Sequence, residues 1–260
     1  MNLQGRVALI TGGAGHIGSA IGDGLAELGA AVAILDMKAD ECETAANRLR
    51  ETYAVDALAV PADLNDEAAV RAAPGQVVTR FDRLDILVNC AGFGRAANLP
   101  GWVTPFEQQN ADTWRKALEV NLTASFVLTQ ACTEALRASG HGSVVNISSI
   151  YGMVGPDMRL YEGTDRGNPA AYAASKGALL QMTRWLATVL APDIRVNAIT
   201  PGGVWRNQPQ EFLDRYNSRT PLGRMATEED IKGAAAYLAS DLSAYVTGHN
   251  LVIDGGWTAW

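Results

Sequence analysis

The 260-residue sequence predicts an α/β fold: a single doubly wound domain over residues 1–260, with a seven-stranded parallel sheet and helices on both faces. Three observations predict it. Short runs of Val, Ile, Leu and Ala recur along the chain without polar alternation, as parallel strands covered on both faces require. Most are followed by a stretch whose apolar residues return at helical spacing. The alternation runs from Val7 to Ile253 with no repeat and no interdomain linker.

Composition narrows the partners. Hydrophobic residues make up 48% and charged residues 19%, as in an ordinary folded domain. A net charge of −7 without a clustered Lys/Arg run argues against nucleic acid and anionic membranes. Cys42, Cys90 and Cys132 are too few and too scattered for a disulfide framework or a zinc site, and His16, His141 and His249 are equally dispersed. No metal is expected. The opening six residues do not form a secretory signal, and no apolar run reaches the roughly 18 residues of a spanning helix. The expectation is a soluble cytoplasmic protein acting on a small molecule.

Taken in order, Val7–Ile10 is a strand, and Thr11 to Gly18 leads into Ile17, Ile21, Leu25 and Leu28 at helical spacing. Glycines there let the backbone approach a pyrophosphate, whose charge meets the free N–H groups that open the helix. A second strand, Ala31–Leu35, ends at Asp36, about twenty residues on, where a carboxylate accepts hydrogen bonds from both adenosine ribose hydroxyls. The same carboxylate repels a 2′-phosphate, and the glycine turn has no Arg, although Lys38 stands two residues on. NAD is expected over NADP. An Asp at a strand end is also a common cap, so this feature does not decide alone.

A helix around Asp40 to Tyr53, a strand Ala57–Val60 and Asp63-Leu64 follow, then a helix that Pro74-Gly75 is expected to kink or end. Ile86–Val88 runs into Asn89-Cys90-Ala91-Gly92, small enough for a ring or ribose to come close. The connection from Phe93 to Asn110, with Trp102, Pro105 and Phe106, is long for this fold, as substrate-contacting or disordered loops are. Asn110 or Asp112 caps one helix through Leu118, Leu122, Phe126 and Thr129 to about Ala138, ended by Gly140. Asn121 lies in its middle, and on that helix alone is expected to face solvent. Gly142 to Ser149 reads as the fifth strand and Gly152 to Pro169 as a loop. A helix from Tyr172 to near Pro192, a strand Ile194–Ile199, helices about Gln208 to Tyr216 and Thr227 to Ser240, and a strand Asn250–Ile253 complete the chain.

Tyr172 and Lys176, four residues apart, fall side by side on one helix face. A free tyrosine titrates near ~10, and a neighbouring ammonium in a desolvated site favours its phenolate, which prepares a phenol for proton transfer at neutral pH. Tyr-x-x-x-Lys alone is common on amphipathic helices, and its companions make it specific.

Those companions, in order, are Thr11 to Gly18, Asp63-Leu64, Asn89 to Gly92, Asn121, Ser149, Tyr172-x-x-x-Lys176, Asn197 to Gly202 and Asp254-Gly255-Gly256. Over essentially the whole chain they resemble the core short-chain dehydrogenase/reductase family, which implies a Rossmann-type fold and NAD-dependent interconversion of a secondary alcohol and a ketone. The resemblance makes Tyr172 the acid/base and gives Lys176 the nicotinamide ribose and the acidification of the phenol. It gives Ser149 the orientation of the substrate oxygen, and Asn121 a proton-relay water. It also places the dinucleotide along Gly12, Gly15, His16, Ile17, Asp36, Asp63, Leu64, Asn89, Ala91, Gly92, Pro201 and Val204, besides Tyr172 and Lys176. Subunits of the family commonly pair through the helices holding Asn121 and Tyr172, which implies a homodimer or homotetramer.

Three departures stand out. His16 replaces a common glycine, a spacing similar to that of the extended sugar-nucleotide epimerases and dehydratases. Arg206 replaces a threonine that often contacts the nicotinamide carboxamide, and the Ser149-to-Tyr172 interval is longer than usual. A dinucleotide-binding regulator without turnover would need the glycine turn and Asp36, but not Ser149, Tyr172 and Lys176 together. Arg95, Arg159, Glu162, Asp165 and Arg166, in the two long loops, point to a small polyhydroxylated or anionic substrate, a sugar derivative before a lipid.

Overall fold

All seven strands pair in parallel in one sheet of order β3-β2-β1-β4-β5-β6-β7 in a computed structural model that describes residues 1–93, 99–164 and 166–260. The strands are β1 (Val7–Thr11), β2 (Ala31–Asp36), β3 (Ala57–Pro61), β4 (Ile86–Asn89), β5 (Gly142–Ile147), β6 (Ile194–Pro201) and β7 (Asn250–Ile253). Burial on both faces explains their unbroken apolar runs. On β1, Ala8 and Ile10 enter a core with Ile21 and Leu25 of α1 (His16–Glu27), Ala46 and Leu49 of α2 (Ala39–Tyr53), and Leu238 of α8 (Glu229–Ala239). Val7 and Leu9 enter the opposite core, against Val77 of α3 (Glu67–Phe81), Leu128 of α5 (Ala124–Ala138) and Leu186 of α6 (Ala170–Val189).

The chain builds outward from β1 to β3, then returns to place β4 on the other side of β1. A crevice opens beyond the strand ends at such a reversal, the usual ligand position in open α/β sheets. Thr11 of β1 lies beside Leu35 on one side and Asn89 on the other, so the glycine turn, Asp36 and the Asn89–Gly92 segment leave the same edge.

Two helices depart from expectation. Pro74 neither ends nor breaks α3: it is buried together with Val70, Ala73 and Val77, and docking that apolar face offsets the backbone bond a proline forfeits. The expected single helix from residue 110 to 138 is α4 (Ala111–Leu118), a π-helical turn (Glu119–Thr123) and α5. Asn110, not Asp112, is its cap, accepting from Thr113 N at 2.9 Å. The fifth strand ends at Ile147, two residues before Ser149. Among the described residues no helix is long and apolar enough to cross a membrane, and no group of His, Cys, Asp and Glu is placed to hold a metal.

Candidate active site

The glycine turn is built for close approach. Gly12 takes φ +64°, a Cβ on it would come within 2.9 Å of Ala91 Cα, and one on Gly18 would collide with the Gly12 carbonyl. Thr11 Oγ1 ties the two strand ends together by accepting from Cys90 N at 3.0 Å and Ala91 N at 3.1 Å. No side chain caps α1, at whose start Gly15, His16 and Ile17 lie, and no acidic residue stands in its first turn. Its opening N–H groups therefore remain available to an anion. The Asp36 carboxylate accepts from Ala14 N at 3.2 Å and Met37 N at 2.8 Å, fixed beside the turn. Ala62 N donates to Asp36 O at 2.9 Å, so Asp63-Leu64 leave β3 at the same edge. A glycine cradle, an uncapped helix start and a carboxylate at the end of β2 fit a dinucleotide.

The second cluster lies beyond β4 and β5. Asn121 is completely buried, contrary to the solvent-facing position expected from its helix alone, because the π turn inserts a residue and rotates the helix face by about 100°. Its Oδ1 accepts from Phe93 N at 2.7 Å and its Nδ2 donates to Ser175 Oγ at 3.1 Å. Ser175 Oγ donates in turn to Tyr172 O at 2.8 Å. Lys176, 5% exposed, donates from Nζ to Ile147 O at 2.7 Å and sits 6.0 Å from the centroid of the Tyr172 ring. Gly92 lies against both side chains: a Cβ there would sit 3.1 Å from Asn121 Oδ1 and 3.6 Å from Lys176 Nζ. Ser148 Oγ is committed to Lys176 O at 2.9 Å, whereas Ser149 Oγ accepts only a 3.2 Å bond from Tyr151 N, among the bonds described.

Asn121, Tyr172, Lys176, Gly92 and the turn at Ser149 thus gather at one edge, reached from four separate stretches. Asn89 supports them from below, donating to Asn146 Oδ1 at 2.8 Å and Thr129 Oγ1 at 3.2 Å, while Asn146 donates to Thr183 Oγ1 at 2.9 Å. Cys90 is pushed up to about 11, by burial first, with Lys176 and Arg206 opposing. Those two cations therefore act on the end of β4. Pro201 closes β6, and Val204 bridges to Ala226.

The far wall is aromatic, and sequence reasoning missed it. Tyr151, Tyr161, Phe212, Tyr216 and Trp257 pack as one cluster, with Tyr172 against it. Tyr151 and Tyr161 hydroxyls meet at 2.9 Å, and Phe212 and Tyr216 of α7 (Gln210–Ser218) stack at 6.0 Å. Of the charged loop residues, Arg159 is engaged, pairing with Asp157 through two 2.9 Å bonds, while Arg95 and Asp165 lie outside the described residues. Asn168 was missed too. It is 8% exposed, four residues before Tyr172, and among the described residues neither its amide nitrogen nor its oxygen has a partner. Ser175 sits inside the Tyr172 motif, but nothing local shows that it holds Asn121.

Residues 12–258 match the family model described as enoyl-(acyl carrier protein) reductase. The chain is 38% identical to the trans-4-hydroxycyclohexanecarboxylate dehydrogenase of Sinomonas cyclohexanicum, over 98% of this chain and 93% of that protein. NAD+-bound xylitol dehydrogenase superposes with a TM-score of 0.88 at 32% identity, covering 98% of this chain and 100% of that one. A gluconate 5-dehydrogenase from Burkholderia cenocepacia J2315, in complex with NADP and tartrate, gives 0.88 at 33%, covering 100% and 97%. Such relatives do not favour the epimerase and regulator alternatives. Fold, motif order and relatives agree over nearly the full length: the protein belongs to the short-chain dehydrogenase/reductase family and is a nicotinamide-dinucleotide oxidoreductase acting on secondary alcohols.

Proposed function

We propose that this enzyme prefers NAD(H) and oxidises a small polyhydroxylated or anionic secondary alcohol, or reduces the matching ketone, with Tyr172 as acid/base. The observation that carries the catalytic reading is the buried Lys176 ammonium, anchored on Ile147 O and 6.0 Å from the Tyr172 ring. In the oxidative direction Tyr172 takes the substrate hydroxyl proton while Ser149 Oγ donates to the same oxygen. Lys176 stabilises the negative phenolic oxygen and would hold the nicotinamide ribose of a bound dinucleotide. Asn121, held at both ends of its amide, fixes the Lys176 side of the cluster, where a relay water returns the proton to solvent. The dinucleotide, when bound, supplies the hydride exchange. It would be held by Gly12, Gly15, His16, Ile17, Asp36, Asp63, Leu64, Asn89, Ala91, Gly92, Pro201 and Val204.

Asp36 supports NAD(H), and so does Lys38: its ammonium donates to Glu41 at 2.6 Å, so the nearest candidate for a 2′-phosphate already has a carboxylate partner. Two observations favour a polar substrate. The Asn168 amide, buried and without a partner among the described residues, calls for one, and a polar substrate beside Tyr172 would offer it. The similar proteins named above carry hydroxy-acid and polyol names. Three free cysteines suit the reducing cytoplasm. Phe126 and Trp185, 40% and 56% exposed on α5 and α6, suit a homodimer or homotetramer paired through those helices, and sedimentation as a monomer at micromolar protein would remove that part.

The direct test is a turnover screen with NAD and NADP across polyols, sugar acids, hydroxycyclohexanecarboxylates, steroids and acyl thioesters. The expected result is turnover among the first three classes, with NAD bound roughly tenfold or more tighter than NADP. Efficient turnover confined to steroids or thioesters contradicts the polar substrate, and equal dinucleotide affinities contradict the NAD preference.

A further inference from the structure

Arg206 follows the turn that leaves β6. Its Nη2 lies 3.2 Å from Glu228 Oε1, and the same oxygen lies 3.8 Å from Nδ1 of His16, the first residue of α1. Arg206 Nε is shut off from solvent and has no hydrogen-bond partner among the described residues. Glu228 occupies the N-cap position of α8, but its side chain caps nothing there. One carboxylate oxygen therefore stands between a guanidinium and an imidazole, beside a helix start that no side chain caps. The fold does not need an anion at that point, whereas a dinucleotide brings one.

We infer that Glu228 is a resident surrogate for the dinucleotide's second phosphate, the one distal to adenosine, and that Arg206 exchanges Glu228 for that phosphate on binding. The inference rests on the dinucleotide reading of the site. Sheet order selects the phosphate: Asp36, the ribose anchor, ends β2 on one side of β1, and Arg206 follows β6 on the other. The donor set suits it as well. A phosphate engages a guanidinium through two parallel bonds and gives the idle Nε an acceptor, whereas Glu228 meets the guanidinium through Nη2. His16, which departs from the family's glycine, supplies a further donor beside the same phosphate. Arg206 thus takes over the place of the usual threonine with a different chemistry, a charged clamp, and Glu228 sets how much affinity that clamp yields.

The test is calorimetric binding of ADP-ribose and AMP to the unmodified enzyme, Arg206→Thr and Glu228→Gln, with thermal melting to confirm folding. AMP lacks the distal phosphate. Arg206→Thr is expected to weaken ADP-ribose about tenfold or more and AMP less than about threefold. Glu228→Gln is expected to tighten ADP-ribose about threefold or more and leave AMP unchanged, because the competing carboxylate is gone. The inference is overturned if Arg206→Thr changes the two ligands in equal proportion or neither, or if Glu228→Gln fails to tighten ADP-ribose. Failure of the unmodified enzyme to bind either ligand overturns the inference and the dinucleotide reading together.

Discussion

The two sides of the crevice are made of different material. On the β2-β1-β4 side the surface is backbone: a glycine turn pressed against Ala91, an uncapped helix start, and one carboxylate held by backbone N–H groups. On the side beyond β5 and β6 the support is side chain, with Tyr151, Tyr161, Phe212, Tyr216 and Trp257 buried and packed edge and face behind Tyr172. Backbone placed by chain path tolerates little change, while side-chain packing can be altered by substitution without moving the glycine turn. That division lets one fold serve many alcohols.

Substitutions on the two sides should therefore fail differently. The largest effect is expected from Gly18→Ala, whose Cβ collides with the Gly12 carbonyl and forces the turn open. It should cost more than about a hundredfold in ADP-ribose affinity while leaving the protein folded, and near-normal affinity by titration would break the backbone half of the comparison. Phe212→Ala removes a completely buried ring from the aromatic wall and should lower unfolding stability by roughly 3–5 kcal/mol. In the folded fraction it should raise substrate KM while ADP-ribose affinity stays within about twofold, and equal damage to both would show that the two sides are one unit. Asp36→Ala should have the smallest effect, narrowing the NAD-over-NADP margin by about tenfold or less through loss of ribose hydrogen bonds and of repulsion. An unchanged ratio in binding titrations would show that Asp36 only holds Ala14 and Met37.

The same division decides what was readable from the sequence. The glycine turn, Asp36 and the Tyr172–Lys176 pair are local spacings tied to strand ends, so their neighbourhood followed from the alternation of apolar runs. Seven strands and their parallel pairing followed for the same reason. The aromatic wall was not legible, because residues 150–161, 212–225 and 257 meet only after the chain has folded over the edge. Asn121 was misread on its own helix because one extra residue in a π turn changes which way a side chain points, and no local pattern announced that residue. Pro74 was overestimated because its local penalty was visible and the buried face that offsets it was not. The charges of the 152–169 segment point to a polar pocket, yet Arg159 is engaged by Asp157, and the amide without a partner among the described residues is that of Asn168, which no local pattern singles out.

The central claim is that Tyr172 performs proton transfer beside a dinucleotide held by other groups, and Tyr172→Phe tests it most directly. The substitution keeps the ring that packs between Trp102 and the aromatic wall, and removes only the hydroxyl. Turnover of any substrate found should fall by about a thousandfold or more, with NADH affinity by fluorescence titration within about threefold of the unmodified enzyme. Turnover within about tenfold of the unmodified enzyme would contradict the account.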